Sequence, residues 1–308
     1  MAVEIHEIAS REQWLALRKP NVGASDVGVL FHASPYQTYA GLTAEKNGHD
    51  FGTKDSGPMR RGRWYEPGVA KAVAEQRPHW VIAPVNLYYC DPVLRLGATP
   101  DFFIHEKAEH SDIFGVLQTK TVERSAFARY WTDVTPPFWV VLQTLTEMML
   151  TGATFGAIGA GIFDPHNPEI HVYDVPRHAD SEARIREAVK NFWHNLASGI
   201  EPEFDYARDG ALLASLYRTP DPGKVVDLRT NNRIGELLEQ RETMKDIAHI
   251  NAERLAEIEN EIKAVIKDAE EVIVRGWSSV TFKKQERKEY TVPASSYRVL
   301  RTIREQNK

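Results

Sequence analysis

The sequence predicts an α/β (α+β) fold, a mixed central sheet flanked by helices, with a C-terminal helical extension. Three observations predict it. Short β-branched and aromatic runs separated by Pro, Asp and Gly fill the stretch from Trp80 to Val122. Helical spacing lies on either side, most clearly over Phe138 to Thr151, which ends at Gly152. Beyond about Tyr206 the pattern becomes a long seam at alternating 3 and 4 spacing. Helix, several strands, helix and strand in that order pack as layers around one core.

Local signals justify each element. Ser10 to Arg18 has the polar start and apolar spacing of a short helix, with Ser10 as N-cap and Glu12 and Gln13 in its first turn. Ser25 or Asp26 caps a second helix, and Trp64 to Arg77 forms a third. Strands follow over Trp80 to Tyr89, Leu94 to Thr99, Asp101 to His105 and Phe114 to Val122. After the helix at Phe138 come strands over Thr154 to Phe163 and Glu169 to Val175, then a helix over Asp180 to Leu196. Residues 1–206 therefore read as the core and 207–308 as a helical region with a basic tail. In that region Leu237, Met244, Ala248, Leu255, Ile258, Ile262, Val265 and Ala269 form the seam, interrupted by Arg241 and Asn251. One side of an intramolecular helical hairpin is the favoured reading, and a contact with another subunit is the alternative. Trp277 to Lys284 reads as a closing strand.

Composition sets outer limits. Over 308 residues, 42% hydrophobic and 26% charged content is ordinary for a globular chain and excludes a fibrous or wholly disordered one. The longest small-and-apolar run, Phe155 to Phe163, is about half the ~18 residues of a membrane span. The N-terminus lacks a basic, then apolar, secretory leader, and Cys90 is the only cysteine, so a cytoplasmic setting without disulfides is expected. A net charge of -5 argues against a general DNA-coating role. The distribution says more: Lys54 to Lys71 holds five basic residues against two acidic, and Lys283 to Lys308 holds eight against three. Such segments suit a local anion-binding groove, although solvated surface accounts for many charge clusters.

The strongest chemical constellation is Ala98-Thr-Pro-Asp101 followed by Gly115-Val-Leu-Gln-Thr-Lys-Thr121. On a strand, Gln118 and Lys120 share one face while Leu117 and Thr119 turn to the other. Asp101, at the end of the preceding strand, meets them across a hairpin. A carboxylate, an oxygen-bearing side chain and a lysine on one edge suit metal-assisted phosphodiester hydrolysis. No Gly-rich phosphate loop ending in Gly-Lys-Ser/Thr is present. The eleven histidines form no metal-like pair on a recognisable helix, and His105 and His110 read as solvated loop flanks. Trp14, Trp80, Trp139 and Trp193 read as core.

In order along the chain, Trp14-Leu-Ala-Leu-Arg18, Gly23-Ala-Ser-Asp26, Ser34-Pro-Tyr36, Gly62-Arg-Trp-Tyr-Glu66, Pro100-Asp101, Gln118-Thr-Lys120 and Gln143 before Gly152 form a series. That series resembles the PD-(D/E)XK nuclease superfamily, with its restriction-endonuclease-like core, and within it the lambda exonuclease or YqaJ-like phage recombinase exonucleases. The resemblance spans roughly Glu12 to Gly161. It implies that Asp101 is the shared metal ligand, Lys120 the catalytic lysine, Glu66 the upstream helix carboxylate beside the metal, and Gln143 the helical glutamine that steadies the lysine or a metal-bound water. It further implies that the Thr119 backbone carbonyl completes the coordination and that Arg18 and Ser25 hold the 5′-terminal phosphate. Arg60, Arg61 and Arg63 would track the DNA backbone, a role that surface solvation explains equally well. Read singly, Glu66 and Gln143 are ordinary polar helix positions, and Ser25 is a simple N-cap.

One departure stands out: Gln118 occupies the position where the superfamily has Glu or Asp. Its amide oxygen is still a ligand for Mg²⁺, with one formal charge fewer. An active natural variant, a change introduced to trap bound DNA, and a naturally inactive DNA-binding relative all remain open, ranked in that order. The resemblance implies a Mg²⁺-dependent 5′→3′ exonuclease, Mn²⁺ substituting, that leaves 3′ overhangs on double-stranded DNA for a single-strand annealing protein. It also implies a homo-oligomer, a trimeric ring among the options, in the bacterial cytoplasm and encoded by a phage or prophage. The alternatives are a catalytically inactive DNA-binding module of the same fold and an endonuclease of restriction or CRISPR-adaptation type. Iron-sulfur nucleases of the last kind need cysteines that Cys90 cannot supply.

Overall fold

A computed structural model describes residues 2–49, 56–106, 113–164, 167–289, 291, 294 and 296–303. Lys54, His110 and Lys308, named above, lie outside them, as do Asp55, Arg304 and Glu305 of the two basic segments. Strand β1 (Glu4–Glu7) precedes helix α1 (Arg11–Arg18), whose N-cap Ser10 accepts a hydrogen bond from the Gln13 N–H, as expected. After β2 (Val22–Gly23), a tight turn over Ala24–Asp26 leads into the short α2 (Val27–Leu30). Of the two expected caps, Asp26 is the N-cap residue of α2, though its Oδ2 accepts the Gly23 N–H at 2.9 Å rather than one from α2, and Ser25 is not the cap. Helix α3 (Tyr39–Lys46), capped by Thr38, had no counterpart in the sequence reading.

Helix α4 (Gly57–Gln76) starts seven residues earlier than expected, because Ser56 caps it and Pro58 suits the first turn of a helix. The single strand expected over Trp80 to Tyr89 is two, β3 (Trp80–Pro84) and β4 (Leu87–Asp91), and they join different sheets. Pro84 has no N–H to continue a ladder, and the chain turns there. Strands β5 (Leu96–Ala98), β6 (Phe102–Glu106) and β7 (Phe114–Glu123) follow, then α5 (Arg124–Tyr130). Helix α6 (Phe138–Thr151) ends at Gly152, whose φ of 80° is the left-handed geometry that glycine adopts without a steric penalty. Strands β8 (Phe155–Phe163) and β9 (Glu169–Pro176) and helices α7 (Ala179–Ala197) and α8 (Gly210–Leu216) complete the first compact unit, Met1–Leu216.

Among the described residues the main sheet has the order β3-β6-β7-β8-β9, with β7 and β8 parallel and the other pairs antiparallel. A smaller sheet has the order β1-β4-β5-β2. The main sheet is covered on both faces. Val69 and Val73 of α4 bury against Leu117 and Ala157 on one side. On the other, Leu145 and Met148 of α6 and Ile185 and Val189 of α7 bury with Val116 and Ile158. Gly159 and Gly161 admit α4 closely, since a Cβ at either would lie 2.7–2.8 Å from a valine methyl.

The second unit, Tyr217–Lys308, contains α9 (Asn232–Ile266), one continuous helix where a hairpin was favoured. Leu237, Met244, Leu255, Ile258, Ile262 and Val265 of the seam are exposed, and among the described residues no returning helix covers them. Of the expected closing strand only Val280–Thr281 (β11) is strand, and it pairs with Glu271–Val272 (β10) in its own ribbon. No described helix is long and apolar enough to cross a membrane.

Candidate active site

Strand β7 builds the site by alternation. Val116, Gln118 and Lys120 face α6, while Leu117 and Thr119 face α4. Asp101 stands just before β6, one position beyond the last ladder pair Phe102↔Leu117, and is reached from both faces. Its Oδ2 accepts from Gln118 Nε2 at 2.5 Å, from the Thr119 hydroxyl at 2.8 Å and from the Thr119 N–H at 2.8 Å. Glu66 on α4 completes the junction with a hydrogen bond to Asp101. Pro67 follows it directly inside the helix.

The charges here are under strain. Burial, then the neighbouring Asp101 carboxylate, pushes the Glu66 carboxyl up to about 7. Burial likewise raises Asp101, while Lys120 and the two Thr119 donors pull it back down. Two buried carboxyls side by side near a backbone carbonyl are hard oxygen donors whose charge a cation offsets, so the residues present fit a divalent metal ion. Beside them a groove of about 560 Å³ is lined by Arg63 and Lys71 as well as by Glu66 and Asp101.

On the α6 side the amides are ordered by a group that can only donate. Lys120 Nζ donates to Gln143 Oε1 at 3.0 Å, which turns Gln143 Nε2 toward Gln118 Oε1 at 2.7 Å and Glu147 Oε1 at 3.0 Å. Gln118 therefore presents its NH₂, not its carbonyl oxygen, to Asp101 and to the Thr119 carbonyl, the latter at 3.2 Å. This polarity runs opposite to the oxygen-ligand role expected of Gln118, because reversing it would aim the Gln143 NH₂ at an ammonium.

Glu147, one helical turn after Gln143, was missed. It is 0% exposed, its Oε2 has no hydrogen-bond partner, and burial followed by Asp101 drives its carboxyl well above the ordinary range. An acidic residue inside the apolar run Leu145 to Leu150, four positions from Gln143, was the available signal.

The residues expected to hold phosphate also meet. Arg18 Nη2 lies 3.0 Å from Ser25 Oγ and 3.6 Å from Asp26 Oδ1, with its guanidinium 4.6 Å from the centre of the Trp14 ring. Gly23 permits this approach, since a Cβ there would sit 3.1 Å from Arg18 Nη2. Lys46, also missed, places its nearly buried Nζ 3.9 Å from Asp26 Oδ2. Arg61 pairs with Glu123 at 2.6 Å, and Arg60 and Arg63 also have partners, so none of the three is an uncommitted charge. His105 is a strand residue opposite Val81, not a loop flank.

The fold and site define a layered α/β domain in which carboxyls, amides and a lysine meet between β7, α4 and α6. Residues 13–154 match the family described as the YqaJ-like viral recombinase domain. Among solved structures, an alkaline exonuclease from Laribacter hongkongensis is 22% identical, with a TM-score of 0.49 over 66% of this chain and 100% of its own. A phage-related exonuclease from Haemophilus somnus is 10% identical, with a TM-score of 0.42 over 58% and 96%. The shutoff and exonuclease protein of Kaposi's sarcoma-associated herpesvirus is 11% identical, with a TM-score of 0.39 over 65% and 73%. No curated protein matches the chain.

Proposed function

We propose that the protein is a divalent-metal-dependent 5′→3′ exonuclease that degrades one strand from the end of linear double-stranded DNA and leaves a 3′ overhang for a single-strand annealing protein. The observation that carries this reading is the meeting of Asp101, Glu66 and Thr119 within one hydrogen-bond network that extends through Gln118 and Gln143 to Lys120, inside a domain matched to viral recombinases. Mg²⁺ is the ion the oxygen donors suit, with Mn²⁺ as a substitute, and Asp101, Glu66 and the Thr119 carbonyl are its holders. Gln118 joins them only if its amide rotates; in the orientation described it restrains Asp101. When bound, the ion polarises the scissile phosphate and acidifies water.

The chain's own residues do the rest. Lys120 orients the attacking water and the phosphate through Nζ, and Gln143 holds that ammonium in place. Glu147 fixes the Gln143 amide by accepting from its Nε2. Arg18 and Ser25, with Lys46 behind them, bind the 5′-terminal phosphate, Arg18 supplying charge-assisted donors. Arg63 and Lys71 flank the groove that leads to the carboxylates and accompany the DNA backbone, with Arg60 and Arg61 on the same helix. The exposed apolar face of α9 favours a homo-oligomer, a trimeric ring being the form that lets DNA thread through. Its place of action is the cytoplasm of a bacterial host carrying the phage or prophage.

The test uses linear duplexes with 5′-phosphate or 5′-hydroxyl ends beside closed circular DNA, each with Mg²⁺. Stepwise loss from phosphorylated ends supports the proposal. Cutting of the circle assigns an endonuclease, and binding without cleavage assigns an inactive module. In that last case recovery of cleavage by Gln118→Glu locates the defect in the metal site.

A further inference from the structure

A second group of donors lies at the edge of the smaller sheet, on strands the nuclease reading does not use. In the antiparallel pairing of β1 with β4, Glu4 stands opposite Cys90, and His6, two residues on, shares its face. His6 Nε2 lies 3.5 Å from Glu4 Oε2 and 3.8 Å from Cys90 Sγ, and the three donor atoms all fall within 4.8 Å of one another. From this arrangement we infer that Glu4, His6 and Cys90 form a Zn²⁺ site that pins the edge strand β1 to β4.

Two physical arguments carry it. First, the three donor atoms come from two paired strands and converge within 4.8 Å, and one ring nitrogen carries at most one proton to share between a carboxylate and a thiol. Zn–S of ~2.3 Å and Zn–N or Zn–O of ~2.0–2.2 Å at tetrahedral angles put neighbouring donors about 3.3–3.7 Å apart, so the 3.5 Å His6–Glu4 separation fits as it stands and the Cys90 sulfur closes in by a side-chain adjustment. Second, the donor set is chemically selective. A thiol and an imidazole with one carboxylate prefer Zn²⁺ over Mg²⁺, the reverse of the all-oxygen set around Asp101. Cys90 is buried while Glu4 is exposed, so the site is closed on its sulfur side and open to a water as fourth ligand. The paired backbones hold the donors in place before any ion arrives, which reduces the ordering cost of binding.

The test is direct because Cys90 is the chain's only thiol. Full-length protein is titrated with Co²⁺ in excess Mg²⁺, which keeps the oxygen site occupied, and then with Zn²⁺. The expected result is a thiolate-to-cobalt charge-transfer band at one equivalent that Zn²⁺ abolishes, together with Zn²⁺ protection of Cys90 from thiol reagents. His6→Gln, at a partly exposed position that leaves the core untouched, should weaken binding by about tenfold or more. Zn²⁺ should also raise the Tm of the parent protein and not that of Cys90→Ser. Absence of the band, unchanged thiol reactivity, or a band that His6→Gln leaves intact overturns the assignment. None of these readouts depends on DNA cleavage, so they stand or fall apart from the exonuclease reading.

Discussion

At the residue scale, the donors-only ammonium of Lys120 sets the direction of every amide between it and Asp101. Lys120→Ala is therefore expected to reduce cleavage by about 10²- to 10⁴-fold while leaving DNA binding largely intact, as single-turnover rates and a binding titration would show. Arg18→Ala should instead cost about ten- to a hundredfold in preference for 5′-phosphorylated over 5′-hydroxyl ends, the scale of a lost charge-assisted bond. Glu147 yields a pH prediction. Its carboxyl is held protonated above the ordinary value of 4.5, so as pH rises past that value the unfolded chain gives up a proton that the native state keeps, and stability falls. Glu147→Gln should raise Tm at pH 8 and flatten its decline from pH 5 upward; an unchanged slope in thermal melts would remove this carboxyl as the cause. The alternation of Gln118 and Lys120 was legible from strand period alone. Glu147 and Lys46 were not legible, because they meet the site only through packing between elements.

At the element scale, helices with explicit caps were legible. Ser10 and Gly152 mark the ends of α1 and α6, and both boundaries follow from backbone groups that need partners. The boundary between β3 and β4 was hidden, since one continuous β-prone run serves two sheets and only Pro84 marks the break. Ser25 was misassigned as a possible cap because a serine before an apolar run looks the same whether its hydroxyl meets a backbone N–H or the Arg18 guanidinium. Contact between α2 and α6 is close: a Cβ on Gly28 would lie 2.6 Å from Trp139 Cβ and 3.2 Å from its Cα. Gly28→Ala should therefore cost about 1–3 kcal/mol, measured by denaturant unfolding, because backbone cannot yield as a flexible side-chain tip can.

At the scale of the whole molecule, the end of the first unit is set by α8. Leu212 packs with Ala40 and Ala44 of α3, and Asp209 accepts from the Thr38 hydroxyl at 2.5 Å, so residues 207–216 join the core unit rather than the extension. A truncation after residue 206 strips both interactions and one after 216 keeps them; the longer fragment should melt several degrees higher by calorimetry. For α9, light scattering on the full chain gives the decisive mass: a monomer at micromolar concentration would rule out the ring.

The layered α/β class and the order of motifs were legible along the chain, because strand alternation, caps and residue types act over a few positions. Net charge of -5 belonged to that information and concealed as much as it showed. Packing in three dimensions set that Asp101, Glu66 and Lys120 share one network, that Gln118 turns its NH₂ inward, and that a buried carboxyl stands behind Gln143. Those outcomes depend on which faces of α4 and α6 are pressed against β7. That choice is made by the whole hydrophobic core, and no local stretch of chain encodes it.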